Sequence, residues 1–167
     1  MTKNNLAQKR LFLFDIDGTL SVGDTLFEGS RQLLSYIEDI GGKSYFITNN
    51  STKSPADYVE KFRASFGLVA TKQQFMTSGQ VTLDFLKTHF HDQTIFCVGT
   101  ASYITQLRSQ GIRVTQVPEE SVACVLVAYD DELTYEKLVY ACRILCTKDV
   151  PYYATNPDLC CPSAFGF

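Results

Sequence analysis

Short apolar runs and helical spacings alternate along the first half of the sequence. Residues 11–14 are all apolar, which is typical of a strand covered on both faces, as in a parallel sheet. Leucine and isoleucine then recur at helical spacing over residues 30–40, a second apolar run covers residues 44–47, and residues 54–67 are typical of a helix. Strand, helix, strand and helix in this order predict a layered α/β fold.

The same alternation resumes after Phe75. It predicts helices at 78–90, 101–111 and 134–147, and strands at 94–99, 121–129 and 151–155. A turn-forming stretch at residues 76–79 separates the two halves. We therefore expect two α/β domains, with residues 1–78 in the first and residues 79–167 in the second.

Serine residues mark the predicted starts of three helices. Ser30, Ser54 and Ser78 are candidate N-caps, because a serine side chain can accept a hydrogen bond from a free amide of the first turn. Pro55 suits the first helical position, where its missing amide proton is not needed.

Composition narrows the class of protein. The chain has 167 residues, 45% of them hydrophobic, and a net charge of −3, as in an ordinary globular protein. It contains neither an apolar stretch long enough to cross a membrane nor a signal peptide, so we expect a cytoplasmic protein without a membrane partner. It also lacks a cluster of lysine and arginine, which argues against nucleic acid as a partner.

The cysteines and histidines are better explained by packing and helix-end interactions than by redox or metal chemistry. The six cysteines contain no C-x-x-C pair and mostly lie in apolar runs, so we expect buried thiols, with Cys142 and Cys146, one turn apart on a predicted helix, in the hydrophobic core. His89 and His91 close a predicted helix, where a cationic side chain is favourable, and are poor candidates for metal ligands.

Two acids directly after the first strand are the strongest candidates for chemistry. Asp15 and Asp17 would lie beyond the carboxyl end of a parallel strand, where ligands bind in such sheets. Two carboxylates this close repel each other unless a cation neutralises them, and Mg²⁺ prefers such hard oxygen ligands. Gly18 permits a sharp turn and Thr19 adds a hydroxyl, so the loop could bind a phosphate. Alternatively the acids cap an ordinary Asp-Gly turn.

The end of the second strand favours a site. Thr48, Asn49, Asn50 and Ser51 follow that strand and supply hydroxyl and amide groups. Because adjacent parallel strands end at the same sheet edge, the two polar clusters are expected to converge.

These motifs resemble those of a known superfamily. The sequence D-I-D-G-T-L at residues 15–20, followed by T-N-N-S at 48–51, resembles the haloacid-dehalogenase-like (HAD) phosphatases, in particular the p-nitrophenylphosphatase or NagD-like branch. T-N-P-D at residues 155–158 looks like a segment of the large C2-type cap of that branch. The resemblance implies a Rossmann-like parallel-sheet HAD core, incomplete here, with an inserted α/β cap domain.

The resemblance also implies roles for individual residues. Asp15 would be the nucleophile that forms an aspartyl-phosphate, and Asp17 the general acid and base. Asp15 and the backbone carbonyl of Asp17 would hold Mg²⁺. Thr48 would bind the transferring phosphoryl group, with Asn49 beside it orienting the phosphate or the nucleophile. Asn156 and Asp158 would belong to a substrate-specificity loop, although composition alone favours an ordinary loop turn there.

The chain also departs from the family pattern. The family's later lysine and its G-D-x-x-x-T-D motif are not in the sequence. We therefore expect a piece of a longer phosphatase, nearly inactive alone, with an apolar edge strand at residues 11–14. The alternatives are a non-catalytic phosphate-binding or protein-interaction module and a phosphotransferase or mutase of the same superfamily.

The expected partner is a small phosphorylated metabolite of undetermined identity. The resemblance further implies a homodimer formed through the cap. Selectivity would depend on cap contacts that the sequence does not locate.

Overall fold

A computed structural model describes residues 8–159, which form two compact units. The first unit takes in described residues 8–48, 55–76 and 159, and the second takes in 49–54 and 77–158. The chain thus enters the second unit briefly after Thr48, returns to the first, and leaves it again at Thr77. The boundary predicted near residues 76–79 refers to the second of these entries into the second unit, at Thr77.

The first unit is built on a three-stranded sheet. Its elements are β1 (Leu11–Asp15), β2 (Ser21–Val22), β3 (Thr25–Leu26), α1 (Ser30–Asp39), β4 (Lys43–Thr48), α2 (Pro55–Ala64), a 3₁₀ turn (Lys72–Gln74) and β5 (Phe75–Thr77), whose last residue opens the second unit. The sheet order is β1-β4-β5, with β1 and β4 parallel, while β2 and β3 form a separate antiparallel hairpin. The predicted strands and helices of this half are confirmed, but the sequence analysis missed the hairpin, the 3₁₀ turn and β5.

An aromatic cluster fills the core of the first unit. Phe46 of β4 and Phe62 of α2 have ring centroids 4.7 Å apart, and Phe75 lies 4.9 Å from Phe62. Leu34 of α1 and Tyr58 of α2 belong to the same cluster, so both helices pack on the sheet face that carries Phe46. Each such aromatic pair contributes about 0.5–1.5 kcal/mol beyond its area burial.

The other face of this sheet corrects one prediction. Leu11 and Leu13 are 61% and 60% exposed, and Ile47 of β4 is exposed as well. β1 is an edge strand, as expected, but among the described residues it is not covered on both faces. The expectation was wrong because both helices of the unit pack on the face opposite Leu11 and Leu13.

Two of the predicted N-caps are also corrected. Gly29, with φ 87°, occupies the N-cap position of α1, and the Ser30 hydroxyl instead donates to the Leu20 carbonyl at 3.0 Å. Thr77 caps the first helix of the second unit, and the Ser78 hydroxyl is directed elsewhere. Helix α2 begins at Pro55, as predicted.

The second unit is a four-stranded parallel sheet with helices on both faces. Its elements are α3 (Ser78–His89), β6 (Thr94–Val98), α4 (Ala101–Ser109), β7 (Arg113–Thr115), β8 (Val122–Val127), α5 (Tyr135–Thr147) and β9 (Tyr152–Ala154), and the strand order is β7-β6-β8-β9. Ile95 and Cys97 of β6 pack with α3 and α4, and Phe96 and Val98 pack with α5. The alternation of elements is as predicted except for β7, and the α/β fold class is confirmed.

The thiols divide into two groups. Cys97 and Cys124 are buried as expected, and burial raises the pKa of both, that of Cys124 to about 12. Cys142 and Cys146 are exposed, which contradicts their predicted place in the core, because α5 turns Ala141 and Ile144 toward the sheet instead. Cys160 and Cys161 lie outside the described residues.

Two remaining expectations concern membranes and metals. Within residues 8–159, no helix is both long and apolar enough to cross a bilayer.

His89 ends α3, where its Nδ1 lies 3.0 Å from the Phe85 carbonyl oxygen and its ring stacks on Phe85. This histidine therefore has a packing role at the helix end.

Candidate active site

A tight loop follows β1 and presents the two acids. Ile16, which is completely buried, accepts backbone hydrogen bonds from Leu20 and Ser21, and the Gly18 amide donates to the Ser21 carbonyl at 2.8 Å. Gly18 adopts φ 84°, a left-handed conformation that favours glycine. The buried isoleucine anchors the loop, so Asp17 and its neighbours are held close to the end of the strand.

The acids retain most of their capacity to bind a ligand. Asp15 is exposed and, within residues 8–159, accepts one hydrogen bond, from the Thr19 hydroxyl to Oδ2 at 3.1 Å. The Asp17 side chain is 25% exposed. A carboxylate offers about four lone-pair sites, so one bond from Thr19 leaves Asp15 able to bind a cation or to attack an electrophile.

Thr48 ends the neighbouring strand of the same unit. β1 and β4 run parallel in a register that pairs Asp15 with Ile47, so Asp15 and Thr48 lie at the same end of adjacent strands. The Thr48 side chain is buried, and its hydroxyl oxygen lies 3.5 Å from the hydroxyl oxygen of Tyr58. The expected convergence at this sheet edge therefore holds for the acid loop and Thr48.

Helix α2 contributes two residues that the sequence analysis missed. The Lys61 ammonium lies 3.9 Å from Asp17 Oδ1 and 5.5 Å from the centre of the Phe66 ring, and its side chain is only 11% exposed. Burial raises the pKa of Tyr58, and the negative charges of Asp17 and Asp15 also raise it, so the phenol stays protonated at neutral pH. The three-residue spacing of Tyr58 and Lys61 put them on one helix face, but nothing in the sequence indicated that this face meets the acid loop.

The donor set is compatible with magnesium. Two carboxylates and a backbone carbonyl are hard oxygen ligands, and Mg²⁺ is commonly bound by one or two carboxylates together with a substrate phosphate. Among residues 8–159 no group of three or more histidine, cysteine or acidic side chains converges.

A second group of predicted residues converges within the second unit. The Asn49 side-chain amide donates to Asp158 Oδ2 at 3.1 Å, and the Asn156 amide donates to the Asn49 carbonyl at 2.8 Å. The Ser78 hydroxyl donates to the same carbonyl at 2.7 Å. The structure thus joins Asn49 to the T-N-P-D segment.

Ser51 strengthens this connection. Its hydroxyl oxygen accepts from the Tyr129 amide at 3.1 Å and lies 3.0 Å from the Thr155 hydroxyl oxygen. Asn50 closes the loop locally, since its side-chain oxygen accepts from the Thr52 amide at 2.9 Å. Residues 49–52 are therefore held by side-chain hydrogen bonds.

Comparison with known proteins identifies the family. The haloacid dehalogenase-like hydrolase family matches residues 12–113, which include the acid loop and the Thr48 turn. The chain belongs to this family. The haloacid dehalogenase-like assignment agrees with the resemblance of the motifs.

Individual relatives of this haloacid dehalogenase-like chain are phosphatases by name. It is 29% identical over 162 residues to the acid sugar phosphatase of Staphylococcus aureus, covering 97% of this chain and 61% of that protein. Among solved structures, 4-nitrophenylphosphatase from Thermotoga maritima has a TM-score of 0.83 and 35% identity, over 96% of this chain and 60% of that one. NagD from E. coli K-12 has a TM-score of 0.72 and 25% identity, over 90% of this chain and 57% of that one. The chain spans about 60% of the length of the first two relatives.

Proposed function

We propose that these residues carry the nucleophile and the phosphate-binding loops of a Mg²⁺-dependent phosphatase that hydrolyses small phosphomonoesters. The observation that supports this most is the placement of Asp15 and Thr48 at the same end of adjacent parallel strands, with Asp17 in the tight loop between β1 and β2. An exposed carboxylate with one hydrogen bond is able to act as a nucleophile.

The reaction would proceed in two steps. A carboxylate oxygen of Asp15 attacks phosphorus in line, an aspartyl-phosphate forms, and the bond to the leaving oxygen breaks while Asp17 gives that oxygen a proton. Asp17 then takes a proton from water as the water attacks phosphorus, which releases phosphate and restores the Asp15 carboxylate. Dividing the reaction in this way replaces one difficult step by two easier ones.

The surrounding residues would manage charge and orientation. Asp15 and the backbone carbonyl of Asp17 would hold Mg²⁺, which when bound neutralises charge between the carboxylate and the phosphate dianion. The Gly18 and Thr19 loop and the Thr48 hydroxyl would bind phosphoryl oxygens, with Asn49, the next residue along the chain, orienting the same group. Tyr58 lies against the Thr48 hydroxyl and would restrict its rotation.

The names of the relatives favour a small phosphomonoester as substrate, and a sugar phosphate is the first compound to test. In this proposal the second unit is the α/β cap of the family. A homodimer formed through that cap and a cytoplasmic location complete the proposal.

The test is a phosphatase assay of the native gene product with Asp15→Asn. We expect the rate to fall by at least about 10³-fold, because the amide of asparagine is not a nucleophile toward phosphorus. Asp24→Asn, an exposed substitution of the same chemistry in the β2-β3 turn, should leave the rate unchanged. Full activity of Asp15→Asn would exclude the assignment of the nucleophile, and a wild-type protein without activity that still binds phosphate would favour a non-catalytic module.

A further inference from the structure

We propose that Asn156 and Asp158 are positioning residues for Asn49 and that they do not select the substrate. The proposal rests on the proposed function, in which Asn49 orients the transferring phosphoryl group. All three residues belong to the second unit, so their contacts lie within one compact body.

The T-N-P-D segment holds both the backbone and the side chain of Asn49. The Asn49 carbonyl accepts from Asn156 at 2.8 Å and from Ser78 at 2.7 Å, while its side-chain amide donates to Asp158 at 3.1 Å. A carbonyl oxygen has two lone pairs, and both are used here. Fixing the backbone and the side chain together restricts the position and the direction of the Asn49 amide.

The segment is also braced internally. The Asp158 backbone amide donates to Asn156 Oδ1 at 3.3 Å, so the side-chain amide of Asn156 both donates to Asn49 and accepts from Asp158. A side chain whose donor and acceptor are bonded within the protein has less capacity left for recognising a substrate. Side chains bonded in this way typically hold another residue in place, whereas those of a recognition loop keep donors and acceptors free for the substrate.

Asn49 needs such support because of where it lies. It is exposed and directly follows the last residue of β4, so the hydrogen bonds of the strand do not hold it. A displacement of about 1 Å in a group that orients a reacting atom can lower the rate about 100-fold. Support of Asn49 should therefore affect the reaction of every substrate equally.

The experiment compares Asp158→Ala and Asn156→Ala in the native gene product, with a sugar phosphate, glycerol phosphate and 4-nitrophenyl phosphate as substrates. We expect each variant to lower kcat about 10- to 100-fold by a similar factor for all three compounds, with KM changed less than about threefold. Asp158→Asn should recover most of the rate, since its side-chain carbonyl can still accept from Asn49. Asp149→Ala, an exposed aspartate of the same unit, is the matched control and should have no effect.

A second measurement does not depend on activity. In ¹⁵N-labelled protein, Asp158→Ala should shift the side-chain amide resonances of Asn49, and Asp149→Ala should not. Unchanged Asn49 resonances, or a ratio of kcat/KM between substrates that changes more than about tenfold, would overturn the positioning role. Activity that survives Asp15→Asn would instead contradict the proposed function, and the Asn49 resonances would still test the inference.

Discussion

The acid loop of the first unit and the Asn49 segment of the second differ in how far the protein satisfies their polar groups. In the part of the chain that the structure describes, Asp15 accepts one hydrogen bond, and the nearest cation to Asp17 lies 3.9 Å away. Asn49 is bonded through both its carbonyl and its side chain to residues of its own unit. Acids with free lone pairs at a strand end are suited to binding a ligand. The bonds of Asn49 instead fix its position, and they leave one side-chain N–H for the orienting role that the proposed function gives it.

The largest effect expected from this difference is on catalysis by Asp17. In the native gene product, Asp17→Asn should lower kcat/KM, which reports the first step alone, by about 10²–10⁴-fold with a sugar phosphate, because general acid–base catalysis contributes that much. The loss should be smaller with 4-nitrophenyl phosphate, since its leaving oxygen needs less help from a proton. Steady-state kinetics on both substrates tests this, and equal losses would remove Asp17 from the role of general acid.

The acid loop should matter much less for folding than for activity. Asparagine has nearly the same shape as aspartate, and the loop is anchored by the buried Ile16. We therefore expect Asp17→Asn to change the free energy of unfolding by less than about 1 kcal/mol in a denaturant titration. A larger loss would mean that the acids are part of the structural framework.

Ser51, in contrast to Asp17, should contribute to the stability of the fold. Its buried hydroxyl joins the loop at residues 49–52 to Thr155 and to the Tyr129 amide. Ser51→Ala should lower the free energy of unfolding by about 1 kcal/mol, because it removes two partly buried hydrogen bonds of a buried hydroxyl. Denaturant unfolding of the variant is the measurement, with the exposed Ser109→Ala as control, and no destabilisation would count against a structural role for this loop.

The smallest effect is expected for Lys61, whose mostly buried side chain contacts Asp17 and could therefore affect either activity or stability. Lys61→Met keeps an apolar side chain of similar length but removes the ammonium that lies beside Asp17 and over the Phe66 ring. We expect kcat to fall about three- to tenfold without loss of thermal stability, and Lys61→Arg to recover part of it. Lys72→Met, at an exposed position, serves as control; a loss of stability with unchanged kcat would make Lys61 a packing residue.

How much of the fold was predictable depended on element length. The apolar runs that became β1, β4, β6 and β8 were long enough to show their type, whereas β2, β3, β5 and β7 have two or three residues and no period to detect. β9 is as short, but it was predicted because it lies within the longer strand-like run at residues 151–155. Exposure was less predictable, since apolar residues such as Leu11 and Cys142 are exposed because of where other elements pack. Propensity alone also favoured Ser30 as the N-cap, but Gly29 occupies that position and the Ser30 hydroxyl donates to the Leu20 carbonyl.

In the candidate site too, local patterns revealed the residues at strand ends but not the contacts that depend on how the elements pack. Asp15, Asp17 and Thr48 could be found because each lies at the end of a strand or within two residues of it, and strand order then brings them to one edge. Lys61 could not be found in this way, because its approach to Asp17 depends on the rotation of α2 against the sheet. The bonds of Asn49 with Asn156 and Asp158 join residues more than a hundred positions apart, and no local pattern indicates such a pairing.

The central claim is that Asp15 bonds covalently to phosphorus. Its most direct test is to mix the native gene product with Mg²⁺ and substrate, stop the reaction with acid, and locate phosphate by mass spectrometry of the peptides. We expect phosphate on Asp15, with more of it in Asp17→Asn when 4-nitrophenyl phosphate is the substrate, because the second step is then slowed. Turnover without phosphate on Asp15 in either protein would contradict the account.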